Sequence, residues 1–259
     1  MRYRELGATG ESVSVIGYGS WPLAGHMGAV SQRDATAALR TAIDGGVTLV
    51  DTAQGYYDAE LLLAPALAEA GRERVFLVSK LSREHEPTAI ERAVEASLRR
   101  LGTDHLDLYL IHHWRAEYPL EDTLETLARV RERGLVRFLG VSNFDVAQTR
   151  AALAVTPIEA VQPRYSLLVR EIEAELLPLC RDRRIGVLAH SSLAKGLLSG
   201  RYDRGAAFDP ADERSRMAAF EGEAFGRAID VVEGLRELAA ARGVTVSQLA
   251  LAWVLRDPV

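Results

Sequence analysis

Short apolar runs alternate with stretches of helical period along almost the whole chain. The runs cover residues 15–20, 48–51, 75–80, 106–112, 137–142, 158–162 and 185–190. Most are continuously apolar, the pattern of strands buried on both faces. Between them, apolar residues recur every three to four positions. Ala35, Ala38, Leu39, Ala42 and Ile43 form one such stripe, opened by a capping box from Ser31 to Asp34 and stopped at Gly45 and Gly46. Pro87 opens the next, which carries Ile90, Val94, Leu98 and Leu101. Leu120, Leu124, Leu127 and Val130 make a third, ending at Gly134, and Ile172, Leu176 and Leu179 a fourth. Residues 197–220 follow neither period and read as an irregular loop, with helices predicted after it over 221–242 and 245–256.

Seven units of strand followed by helix predict a parallel α/β fold in a single domain over 1–259. A doubly wound sheet would want G-x-G-x-x-G after its first strand. Gly17 and Gly19 are there, but Pro22 stands where the third glycine belongs. The pattern favours a (β/α)8 TIM-type barrel instead, with the opening segment around Gly7 and Gly10 as an N-terminal hairpin plugging one end. An eighth strand should begin after Arg256. The barrel therefore reads as lacking its eighth strand and C-terminal segment, and the native chain is expected to continue past Val259.

Composition narrows the function. Lys and Arg number 31 against 36 Asp and Glu, a formal charge of −5, which carries no nucleic-acid footprint. No apolar run approaches membrane-spanning length, and the charged N-terminus has no apolar signal core. The expectation is a cytoplasmic protein that engages neither nucleic acid nor membrane. The lone Cys180 cannot form an internal disulfide and sits among leucines, as a buried structural thiol would. Nothing here bears on oligomeric state.

The polar residues that close the strand-like runs carry the chemistry. Asp51 ends one run, with Tyr56 five residues on; Lys80 ends the next and His112 the one after. In a barrel these ends converge on one mouth. An acid, a phenol, an amine and an imidazole together suit proton transfer to a carbonyl oxygen. A free phenol, with a pKa of about 10, is a poor donor at neutral pH. A Lys80 cation would pull it down, and Asp51 would hold Lys80 charged. His112 could hydrogen-bond the carbonyl oxygen. Tyr57 and His113 are the rival neighbours; spacing from Asp51 favours Tyr56, and the strand-end position favours His112. Trp21 and Trp114, which follow strands one and four, would line a substrate pocket with Tyr57 and His113. Trp253 has helical spacing and reads as core. No metal site is expected.

Several stretches together resemble the aldo-keto reductases: GYGSWPLAG at 17–25, DTAQGYY at 51–57, VFLVSK at 75–80, LDLYLIHHW at 106–114, GLVRFLGVSNF at 134–144, VQPRYSLLVR at 161–170 and VLAHSSLAKGLLSGRY at 187–202. They fall in the family's order over the whole chain. The resemblance implies a (β/α)8 barrel and NAD(P)H-dependent reduction of an aldehyde or ketone, with Asp51, Tyr56, Lys80 and His112 as the catalytic four. It carries Ser142, Asn143 and Gln162 to the nicotinamide carboxamide, with Ser20, Trp21 and Asp51 near the cofactor. His190 takes the ring-stacking position usually held by a larger aromatic. Ser191, Ser192, Leu193, Gly196 and Arg201 would cover the pyrophosphate, with Arg216 as a further phosphate contact. NADPH is favoured and NADH is possible. The substrate is expected to be a small carbonyl compound. Family members commonly have Tyr-Gly and a longer turn where this chain reads Tyr56-Tyr57-Asp58. That departure keeps open a second reading, a cofactor-binding regulatory protein with little turnover. An unrelated barrel lyase or isomerase is a third; it would need neither the SNF stretch nor the 187–202 loop.

Overall fold

The computed structural model describes residues 1–258. Strands β1 (Tyr3–Glu5) and β2 (Ser12–Ser14) form an antiparallel hairpin. Seven parallel strands follow: β3 (Tyr18–Gly19), β4 (Leu49–Asp51), β5 (Phe76–Leu81), β6 (Leu106–Ile111), β7 (Val136–Ser142), β8 (Ala160–Gln162) and β9 (Gly186–Val187). Each pairs with the next in sequence order, and among the described residues β3 and β9 are not paired with each other. The crossovers hold α1 (Gln32–Asp44), α2 (Ala59–Ala70), α3 (Pro87–Leu101), α4 (Leu120–Glu132), α5 (Val146–Val155) and α6 (Leu176–Arg183); α7 (Gly222–Ala240) and α8 (Val246–Val254) follow β9. The result is the curled seven-stranded part of a (β/α)8 barrel.

The pleat divides the core. Leu49, Phe76, Val78, Leu108, Leu110 and Ala160 point inward and meet Leu6 and Val13 of the hairpin, which closes the N-terminal end. The alternate residues, among them Val50, Leu77, Leu81, Tyr109, Ile111 and Val141, pack outward on Leu39, Leu63, Ile90 and Leu124 of the helices. A separate cluster of Leu197, Leu198, Phe220, Phe225, Ile229 and Val246 seats α7 and α8. Buried Asp107 on β6 fastens the lower end. Its carboxylate accepts from Arg72 at 2.7 Å, Arg137 at 2.7 Å and the Leu77 amide at 2.7 Å, and Arg137 also holds Glu11 of the hairpin turn. Cys180 is fully buried, and that burial pushes its thiol up to about 12.

Local detail departs from expectation in several places. The Ser31 cap is one-way: its hydroxyl accepts from the Asp34 amide at 3.1 Å, while the Asp34 carboxylate turns to Arg33. Reciprocal boxes form at α5, between Asp145 and Gln148, and at α8, between Thr245 and Gln248. The 172–179 stripe begins as a 3-10 turn over Glu171–Glu173 before α6. The 197–220 loop overlaps three 3-10 turns, Ala194–Ser199, Glu213–Arg216 and Ala218–Phe220. Trp253 is not core. It is half-buried, with Arg256 3.6 Å and Arg170 5.2 Å from its ring centre. No helix among the described residues is long and apolar enough to cross a membrane.

Candidate active site

Each candidate residue on a strand or just past its end lies two positions beyond an inward-facing one. Leu49 leads to Asp51, Val78 to Lys80, Leu110 to His112, Ala160 to Gln162 and Leu188 to His190. Ser142 stands in the same relation to Gly140 on β7. The period of two therefore delivers six polar side chains to one mouth.

Lys80 is fully buried at the centre. Its ammonium donates to Asp51 Oδ1 at 2.6 Å, to the Thr52 carbonyl at 2.7 Å and to the Tyr56 oxygen at 3.4 Å. The other Asp51 oxygen accepts from Gln162 Nε2 at 2.7 Å. Tyr56 is held edge-on between Trp21, with ring centres 5.0 Å apart, and His112, at 5.4 Å. It is only 8% exposed, whereas Tyr57 is 59% exposed and stands beside His26. His112 Nδ1 lies 2.8 Å from the Ser82 hydroxyl, and His113 stacks on His112 at 4.8 Å.

The electrostatics correct one expectation. The Tyr56 phenol is pushed up, not down, by burial first and by the Asp51 charge second. Lys80 is within reach, but Asp51 sits closer to it and neutralises it. Burial also pulls the Lys80 ammonium below the ordinary lysine range, against Asp51 and then Glu60, which hold it charged. His112 falls to about 3 and His190 to about 4, each through burial first and the Lys80 charge second. The site at neutral pH thus holds a protonated phenol and neutral imidazoles around a lysine–aspartate pair.

A second band of polar residues lies beside this centre. Asn143, at a left-handed φ of 59°, donates from Nδ2 to the His112 carbonyl at 3.0 Å. Its Oδ1 therefore faces His190 Nε2, 2.9 Å away, so that nitrogen carries the proton. His190 Nδ1 can then accept from Ser191 Oγ at 3.1 Å. Ser142 donates to the Gln162 carbonyl at 3.0 Å. A cavity of about 790 Å³ runs past Trp21, Tyr56, His112 and His113 to Ser142, Asn143, Gln162 and the 190–193 loop. Ser191, Ala194, Lys195 and Gly196 all take positive φ there. Gly196, at φ of 101°, holds a conformation that side chains rarely adopt, and a Cβ there would also come within 3.2 Å of the Tyr202 ring. A polar amide strip beside a glycine-bearing loop is a donor set that fits a nicotinamide dinucleotide.

Not every expected residue reaches this cavity. Ser20 is buried behind it, its amide bonded to the Asp51 carbonyl at 2.9 Å. Tyr57 and Trp114, the latter 41% exposed, lie outside the lining, as do the exposed Arg201 and Arg216. The basic groups on the lining near the loop are Lys195 and Arg164. Lys195 pairs with Glu213 at 2.6 Å, and Glu213 accepts from the Trp21 indole at 2.9 Å. Lys195 lies inside the 187–202 stretch and was open to detection; Glu213 and Ser82 had no local signal. Among the described residues no group of three or more His, Cys, Asp or Glu is placed to hold a metal.

The aldo/keto reductase family model matches residues 15–259. An aldo-keto reductase of Bacillus subtilis, YhdN, is 35% identical, the alignment covering 100% of this chain and 82% of that protein. An NADH-specific methylglyoxal reductase of Escherichia coli is 31% identical, over 99% of this chain and 86% of its own. Among solved structures, the glycerol dehydrogenase AKR11B4 from Gluconobacter oxydans superposes with a TM-score of 0.90 at 30% identity, covering 99% of this chain and 84% of that one. An aldo-keto reductase from Klebsiella pneumoniae in complex with NADPH gives 0.77 at 36% identity, over 100% and 83%.

Proposed function

The chain belongs to the aldo/keto reductase family, enzymes of NAD(P)H-dependent carbonyl reduction, and on that premise we propose that Tyr56 is its proton donor. The observation that carries this reading is the contact of the Tyr56 oxygen with Lys80 at 3.4 Å, with Lys80 itself held by Asp51 at 2.6 Å. When bound, the nicotinamide supplies hydride to the carbonyl carbon. The Tyr56 hydroxyl gives its proton to the carbonyl oxygen, and the product is the alcohol. A raised phenol pKa is compatible with this, because an alkoxide is a stronger base than a phenolate. The Lys80 ammonium then faces the phenolate left behind, and Asp51 keeps Lys80 oriented. Neutral His112 can donate from Nε2 to the carbonyl oxygen if Nδ1 accepts from Ser82. Ser142, Asn143 and Gln162 would hold the carboxamide, His190 would lie against the ring, and the 191–196 loop with Lys195 would meet the phosphates.

We favour NADPH over NADH, supported by the NADPH complex of the Klebsiella relative; the NADH-specific Escherichia coli relative is the counter-example. The test is Tyr56→Phe against Tyr57→Phe, with methylglyoxal and glyceraldehyde as probes. Tyr56→Phe should lose about 10²- to 10⁴-fold in turnover while binding NADPH as the parent does. Fluorescence titration with each cofactor should give the tighter constant for NADPH. Full turnover in Tyr56→Phe, with loss in Tyr57→Phe, would sink the assignment.

A further inference from the structure

Glu60 is fully buried in the first turn of α2, and beyond its charge, which helps to hold Lys80 charged, the reading above gives it no part. A buried carboxylate is costly unless it is paired. One oxygen accepts from the Ser79 hydroxyl at 2.8 Å, and Ser79 is the neighbour of Lys80 on β5. The other lies 3.2 Å from Arg100 Nε, from α3, without the alignment of a hydrogen bond. The same guanidinium donates to the Tyr57 carbonyl and stands 3.7 Å from the Asp58 carboxylate. The turn it grips is the short one that presents Tyr56. That turn is closed by the Tyr56 amide on the Ala53 carbonyl, 3.0 Å, and the Ala59 amide on the Tyr56 carbonyl, 2.9 Å. Within it Tyr57 takes φ of 50°, a conformation that favours glycine and that a bulky residue holds only when its surroundings impose it.

We propose that Glu60 and Arg100 are positioning residues for Tyr56: Ser79, Glu60, Arg100 and the Tyr57 carbonyl form a relay that ties the tyrosine turn to the strand carrying Lys80. The relay spans three elements and ends on both sides of the contact between Tyr56 and Lys80. It supplies by side-chain contact what a glycine-bearing turn would supply by backbone freedom. The inference rests on Tyr56 being the proton donor.

The test is a double-mutant comparison in single-turnover reduction. Arg100→Met alone leaves Glu60 buried and unpaired, so the informative protein is Glu60→Gln/Arg100→Met, which removes both charges together. A misplacement of about 1 Å at a reacting group can cost about 10²-fold. The double variant should lose turnover on that scale, with the aldehyde KM and the NADPH Kd within about threefold of the parent. Introduced into Tyr56→Phe it should cause no further loss, because the group it positions is gone. Arg100→Lys should recover part of the rate. Should the double variant not fold, Glu60→Gln alone carries the test, with a smaller loss of the same kind. Parental turnover in a folded double variant, or an equal further loss in the Tyr56→Phe background, would overturn the positioning role and leave Tyr56 as donor. Parental turnover in Tyr56→Phe itself would remove the donor assignment instead.

Discussion

At the scale of single residues, the centre of the site is a charge pair placed against a neutral acid. Lys80 has no solvent contact and three acceptors, and Asp51 is the nearest of them. Removing the cation would leave the Asp51 carboxylate uncompensated beside Tyr56. Because Asp51 already raises the phenol, Lys80→Met should raise it further and disfavour the phenolate left after proton transfer. We expect single-turnover reduction to fall about 10²-fold or more, with any alkaline limb of the rate profile moving to higher pH. An unchanged rate across the pH range would exclude Lys80 from the reaction. The positions of Lys80, Asp51 and His112 were readable because each ends an apolar run on the inward phase. The resemblance puts Arg201 and Arg216 at the phosphates; both lie outside the cavity, whose lining near the loop carries Lys195 and Arg164.

At the scale of elements, the barrel wall is packed tightly enough to exclude a methyl group at chosen points. A Cβ at Gly140 on β7 would meet the Ala160 carbonyl oxygen and, at 2.5 Å, Leu110 Cδ2. The first is the backbone of the neighbouring strand and cannot swing away; the second is a methyl of a fully buried leucine, with little room to move. Gly140→Ala should destabilise the fold by about 1–3 kcal/mol, read as a lower urea midpoint at unchanged slope. An unaltered midpoint would mean that the wall yields. Helices α1, α3 and α4 were visible as amphipathic stripes. Helix α2 was not delimited, since AELLLAPALAEA is apolar on nearly every side and contains Pro65. Burial between neighbours, not periodicity, makes it helical.

At the scale of the whole molecule, burial favours the neutral form of four histidines, His85, His112, His113 and His190, and three of them are shifted far. His85 falls to about 4 through burial and then Arg115, His112 to about 3 and His190 to about 4 through burial and then Lys80. In the unfolded chain each takes up its proton near 6.5. Between that value and the lower folded ones, the unfolded state binds more protons. Their contribution to stability is therefore complete above 6.5 and is lost as the pH falls, toward about 4 for His85 and His190 and about 3 for His112. Urea midpoints should drop from pH 7 to pH 5, and the drop should shrink in His85→Gln. A midpoint independent of pH over that range would contradict the buried neutral state.

The seven parallel strands in their order, a barrel rather than a doubly wound sheet, and Asp51, Lys80 and His112 at strand ends were all legible in the sequence. These follow from local periods: a pleat repeats every two residues, so the polar residue two beyond an inward leucine must face the mouth. Tertiary structure decided the rest. It raised the phenol, drew Glu213 to Lys195, and buried Glu60 against Arg100. Each of these depends on desolvation or on partners from other elements of the fold. Neither leaves a period in the chain, because both arise only when distant segments pack together.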